Sequence, residues 1–202
     1  FRRAGLADRA CNYFERAGDR DAARSAYAEA VAHFDAALAA ANRLPAGQER
    51  SRRELAVRLK YGPAVVVFKG MRSPEGEQAY QRAHDLAETL GDEMGLFKAV
   101  WGLWFYASTN RMTGAARDRA EQLVELGRRS GDEALLLEAM HCRWATAFFR
   151  GDVSRQLADS HDGIRHYDAD RHSRLGAEFG GHDPGVCAHS VRGLVLAQRG
   201  SS

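Results

Sequence analysis

Two helix junctions about forty residues apart carry nearly the same punctuation, Leu90-Gly91-Asp92-Glu93 and Ser130-Gly131-Asp132-Glu133. At each, a glycine can take the left-handed backbone that ends one helix, and the aspartate after it can accept hydrogen bonds from the first amides of the next. Signals recurring at that interval belong to helical-repeat architectures, in which a two-helix unit buries its apolar side only against the units beside it. The fold expected is all-α, an α-solenoid of antiparallel helix hairpins.

Periodicity fills in the units. A first helix is expected from Leu6 to Arg24, with Gly18 inside it to let a neighbour come close. In the second, Tyr27, Ala30, Val31, Phe34, Ala37, Leu38 and Ala41 fall on one face, and Leu44-Pro45-Ala46-Gly47 stops it. The third covers Gln48 to Gly70 with a kink expected at Pro63. Its run Ala64-Val65-Val66-Val67-Phe68 has strand-forming residues, but one strand without a partner is no sheet, so helix is the reading. Ser73-Pro74-Glu75 starts the next helix, with Tyr80, Ala83, Leu86 and Ala87 as its buried face. A bulky stripe (Phe97, Val100, Trp101, Trp104, Ala107) then faces a smaller one (Ala116, Ala120, Leu123, Leu126). The following hairpin sets Leu136, Leu137, Met140, Trp144, Ala147 and Phe148 against Val153, Leu157 and Ile164, across the turn Arg150-Gly151-Asp152.

The expected organisation is thus one array, 1–202, with hairpins at about 4–44, 48–90, 92–130 and 132–167. A polar, His- and Gly-rich connection follows at 168–182, pinned by Leu175 and Phe179, and then an unpaired helix at 183–199 started by Asp183-Pro184-Gly185.

Composition bounds what such an array does. A net charge of +2 gives no blanket attraction for nucleic acid or lipid headgroups. The local excess of Arg50, Arg52, Arg53, Arg58 and Lys60 lacks interleaved aromatics before Tyr61, so it reads as a solvated helix face rather than a nucleic-acid site. No run of about 18 apolar residues is present to cross a membrane, and the N-terminus lacks the apolar core and cleavage site of a signal peptide. The expected location is cytoplasmic. Cys11, Cys142 and Cys187 are odd in number and far apart, which fits reduced buried thiols. Among the histidines, His161 and His166 diverge around a helix and no i, i+4 pair has a third ligand, so no metal or other cofactor is expected. Cys187 with His189 and Cys142 with His141 both have poor helical spacing for a nucleophile and its base.

The pattern of Gly18, Tyr27-Ala28-Glu29-Ala30, Phe34 and Ala37 resembles a tetratricopeptide repeat, in which small residues let two helices approach and an aromatic fills the gap. Tyr80 and Ala83 resemble the aromatic and small positions of a second unit, though Gly76 replaces an expected alanine. Gly151 matches a turn glycine, whereas Gln156, Ser160 and Gly163 stand where the family prefers Ala, aromatic and Ala, so that unit reads as degenerate. Gly193 and Gly200 resemble the small position and turn glycine of a further unit, so the array is expected to continue beyond this chain. Three segments, Leu59-x-x-Gly62-Pro63-Ala64, Phe97-x-x-Val100-Trp101-Gly102-Leu103-Trp104 and Gly181-His182-Asp183-Pro184-Gly185-Val186, narrow the likeness. They are similar to the C-terminal repeat region of bacterial multidomain signalling proteins that join a class III nucleotide cyclase or DNA-binding domain to a STAND-type ATPase and then to tetratricopeptide-like repeats.

That resemblance implies a right-handed solenoid and a role as the non-catalytic scaffold or sensor arm of a larger protein. Its partner would be a protein or peptide, or the ATPase domain of the same polypeptide. It further implies that the first helix of each hairpin lines a groove, which places Arg58, Tyr61, Phe68, Lys69, Lys98, Trp101, Phe105, Glu138, His141 and Phe148 there. An aromatic floor ringed by Lys and Arg suits an extended peptide with acidic groups. Two other readings are a small-molecule pocket near Trp101 and Trp104, and self-association into a homodimer through the terminal helix. An enzyme ranks last, since no phosphate-binding Gly-x-x-x-x-Gly-Lys-Ser/Thr loop and no converging carboxylate or nucleophile-base pair is found.

Overall fold

The computed structural model describes residues 2–180, 182–198 and 200, and among these there are only helices and turns. Gly181, the first residue of the third motif above, lies outside the described residues. The helices are α1 (Arg2–Ala23), α2 (Tyr27–Ala41), α3 (Gln48–Lys69), α4 (Pro74–Leu90), α5 (Glu93–Thr109), α6 (Thr113–Ser130), α7 (Glu133–Arg150), α8 (Val153–His166), α9 (Ala169–His172), α10 (Leu175–Glu178) and α11 (Pro184–Gln198). The chain divides into two compact units, Phe1–Thr109 and Asn110–Ser202, so the boundary falls inside the expected hairpin 92–130. No helix among the described residues is long and apolar enough to cross a membrane.

The repeated punctuation does what its chemistry requires. Gly91 and Gly131 have φ of 66° and 67°, and Gly151 has 72°. Asp92 accepts from the Gly95 amide at 2.8 Å, and Asp132 from the Ala134 amide at 2.8 Å. The α1–α2 turn closes in the same way, with the Ala26 amide reaching back to the Asp21 carbonyl at 2.9 Å, but the left-handed position is Ser25 at φ 60°. A side chain there costs about 1 kcal/mol, partly offset because glycine has more freedom to lose on folding. Ser25→Gly is therefore expected to stabilise the protein by about 0.5 kcal/mol, read as a higher urea midpoint at unchanged slope.

Within the first unit each helix packs on the next, and α3 also touches α1 while α5 touches α3. The core between α1, α2, α3 and α4 is built of small residues around a few rings, among them Cys11, Ala30, Phe34, Ala37, Val57, Tyr61, Ala64 and Ala79. Gly18 is there because a Cβ on it would lie 2.6 Å from the Phe34 ring. Tyr80 fills the next gap against both Gly62 of α3 and Gly102 of α5, where added Cβ atoms would stand 2.7 and 2.2 Å from the ring. Helix α3 runs on through Pro63 and includes the Ala64–Phe68 run.

Ion pairs fasten the same helices. Glu54, 7% exposed, takes a two-pronged bond from Arg82 of α4 at 2.9 and 2.9 Å and a third bond from Arg58 at 3.0 Å. Arg82, aided by Arg58 against the opposing effect of burial, holds that carboxyl below its usual range. The basic cluster of α3 is likewise occupied: Arg53 meets Asp8, Lys60 meets Glu15 and Asp19, and Arg50 bonds Asn42. What reads as a solvated face is in part a set of ties to α1.

In the second unit α6 packs on α7 and α7 on α8, and α11 lies against both α8 and α7. The helix expected to stand unpaired, α11, is not solitary. The connection before it contains the single turns α9 and α10, with Leu175 6% and Phe179 2% exposed, as their apolar character implies. Trp144 is fully buried, and its ring occupies the space that a Cβ on Gly163 of α8 would need, at 2.2 Å. Asp159 receives a two-pronged bond from Arg143 of α7 at 2.9 and 2.8 Å and another from Arg155.

Candidate functional site

The ten residues expected to line a groove are divided between the two units, seven in the first and three in the second. In the first unit Phe68 and Lys69 are exposed, Arg58, Lys98 and Phe105 are half-buried, and Tyr61 and Trp101 are buried. Trp101 stacks on Phe105 with ring centres 5.4 Å apart and tilts against Trp104 at 5.9 Å. Burial, together with the charge of the Asp35 carboxylate, raises the Tyr61 hydroxyl pKa. Two of the cations have carboxylate partners, Arg58 with Glu54 at 3.0 Å and Lys69 with Glu75 at 2.6 Å. In the second unit Glu138 is 0% and His141 4% exposed, while Phe148 is half-buried beside the exposed Phe149. The side chains of Tyr61, Trp101, Glu138 and His141 are taken up in packing.

Positive charge without a carboxylate partner lies instead on α1. Its acidic residues all point inward to ion pairs: Asp8 to Arg53, Glu15 and Asp19 to Lys60, and Asp21 to His33 at 2.7 Å. Arg9, Arg16 and Arg20 are exposed and have no ion-pair partner among the described residues. With Asn12 and the exposed Tyr13 they line a hollow of about 330 Å³. The residues recur at turns of one helix face, i, i+3, i+4, i+7 and i+11 from Arg9, a spacing the sequence already carried. What sequence reasoning missed was that the intervening acids are neutralised from the other side.

A second constellation joins α7 to α11. Glu138, His141 and Cys142 lie one turn apart on α7; Glu138 Oε2 is 3.3 Å from His141 Nδ1, and the Cys142 thiol donates to Oε1 at 3.9 Å. The His141 ring packs on Trp144 at 5.4 Å and faces His182 edge-on at 6.5 Å. Burial is the largest influence on His141 and works against its charge, but the Glu138 carboxylate and Cys187 together outweigh it and push the ring up to about 10. Burial beside Glu138 drives the Cys142 thiol well up from its ordinary value. The start of α11 is clamped: Asp183 accepts from the Val186 amide at 2.9 Å and from the Tyr167 hydroxyl at 2.7 Å, and the Tyr167 ring lies on Gly185. No group of three His, Cys, Asp or Glu side chains among the described residues has metal-holding geometry.

No protein-family model matches the chain. It is similar, at 28% identity over 196 residues, to an uncharacterized protein of Rhizobium meliloti. The match takes in 96% of this chain but 19% of that protein, so the chain spans about a fifth of its relative's length.

Proposed function

We propose that the chain is a segment of a right-handed, tetratricopeptide-like solenoid that acts as a non-catalytic protein-binding arm of a larger signalling protein, and that α1 presents the docking face for an acidic segment of its partner. The architecture is supported by a recurrent relation: α3 and α5 each touch the helix before them and the first helix of the preceding hairpin, and α11 touches both helices of the hairpin α7–α8. Similarity to a stretch of a much longer protein supports reading the chain as one arm of a polypeptide. The observation that carries the binding role is the partition of charge on α1, acids tied inward and Arg9, Arg16 and Arg20 left around Tyr13. Guanidinium groups favour two-pronged carboxylate recognition, and an exposed tyrosine adds apolar area at small entropic cost.

The test is binding of a fluorescent peptide rich in Asp and Glu, with an isoelectric scrambled peptide of mixed charge as control. The triple variant Arg9→Glu, Arg16→Glu, Arg20→Glu is expected to weaken binding at least about tenfold, and added salt to weaken the native interaction. Reversal of Lys69 is expected to change it little. Equal affinity in the triple variant with its helical spectrum intact, or no preference for the acidic peptide, would reject the assignment.

A further inference from the structure

The exposed side of α1 is spaced for one kind of neighbour. Leu6, Arg9, Tyr13, Arg16 and Arg20 follow one another at steps of three, four, three and four, and all five are exposed, Leu6 by 62% and Tyr13 by 64%. With 3.6 residues to the turn, these side chains leave the helix within an arc of about 80°, along about 21 Å of its axis. Such a stripe, four turns long, is the seam along which one helix lies against another. An extended chain alternates its side chains and crosses the same length in about six residues, so it matches this period poorly. Asn12 borders the seam, and its side-chain oxygen is taken by Arg53 at 2.5 Å, which leaves its N–H groups to offer to the hollow. With the three guanidinium groups it makes this side a surface of donors, interrupted by the apolar bodies of Leu6 and Tyr13.

We propose that the segment received by this face is an amphipathic acidic α-helix of a partner protein, lying along α1 with carboxylates opposite Arg9, Arg16 and Arg20 and apolar side chains opposite Leu6 and Tyr13. The inference rests on the reading of α1 as a docking face for an acidic segment, and adds to it the conformation and register of that segment. Two helices side by side share the same rise per residue. Acids that meet the three guanidinium groups therefore stand at i, i+7 and i+11 if the helices run the same way, and at i, i+4 and i+11 if they run in opposite directions. In an extended partner the same three groups would be met by acids about three and then about two residues apart. Apolar residues resting on Leu6 and Tyr13 keep water from the carboxylate–guanidinium bonds beside them, which are stronger where the local dielectric is low. The acids of α1 do not compete for the arginines, because Asp8, Glu15 and Asp19 are held by Arg53 and Lys60 of α3.

The experiment titrates the whole chain into labelled peptides of about 18 residues, long enough as helices to cover the seam. The first carries Glu at i, i+4, i+7 and i+11 with Leu on the same helical face, which serves both directions. The second has the same composition and charge with those residues scattered around the helix, and the third is the first with a central proline, which a helix interior does not accept. The first is expected to bind at least about tenfold more tightly than either of the others, and its difference circular dichroism in the complex to be helical. The double variant Leu6→Gln, Tyr13→Gln is expected to weaken it at least about tenfold with the helical spectrum of the chain unchanged, since both side chains are exposed. Equal affinity for the three peptides, lost in the triple arginine variant, would overturn the helical partner and leave the acidic docking face standing. A tightly bound first peptide without helix would do the same. Binding of no peptide that depends on the arginines would overturn both.

Discussion

Gly102→Ala is expected to destabilise the first unit by about 3 kcal/mol and to lower its melting temperature by about 10 °C. The added carbon would stand 2.2 to 2.4 Å from three atoms of the Tyr80 ring. That ring has nowhere to go, because its other face lies on Gly62, where a Cβ would be 2.7 Å away, and the side chain is 5% exposed. The clash can be relieved only by separating α4 from α5 or by rotating Tyr80 out of a space that Ala79 and Ala83, both fully buried, help to define. Alanine at an exposed helical glycine usually stabilises a helix by about 1 kcal/mol, so the sign of the effect separates close packing from mere helix propensity. Gly193, where an added methyl group would meet nothing within 4 Å, is the internal control, and Gly193→Ala is expected to be neutral or slightly stabilising. A second substitution, Tyr80→Leu, should recover part of the loss, so that the double variant is less destabilised than the sum of the singles. Additive losses would show that Gly102 and Tyr80 do not share one space.

These contacts also show what is legible from residue order alone. Helix ends are, because a glycine at positive φ followed by a capping aspartate is a local instruction, and Gly91, Gly131 and Gly151 all obey it. The Gly18–Phe34 pair is legible for a similar reason, since its partners stand on adjacent helices at a spacing the repeat family uses. The same template misjudges the last hairpin. Gln156, Ser160 and Gly163 read as degenerate because an aromatic is wanted on the return helix; here the large ring is on the first helix instead, as Trp144, and Gly163 provides the room. Large and small have changed places across the interface, which conserves the volume of the joint while erasing its signature. Nothing in the chemistry of Ser25 announces a left-handed residue. The spacing of His141 from Cys142 is a local criterion, whereas His141 also faces His182, ring centres 6.5 Å apart, and only tertiary packing brings those two together.

Glu138→Gln is expected to cost about 3 kcal/mol at pH 7, since it leaves His141 as a buried cation without its counter-charge or forces it to give up its proton. The pH dependence identifies the cause. His141 is raised from an ordinary value near 6.5 to about 10, so by itself it contributes stability that is complete below pH 6.5 and is lost as pH rises through 10. Stability should therefore fall steadily between about pH 6.5 and pH 10 on this account, and His141→Asn removes that fall. Urea unfolding across this range distinguishes the cases. No fall up to pH 10 relative to His141→Asn would mean that the ring is neutral beside Glu138.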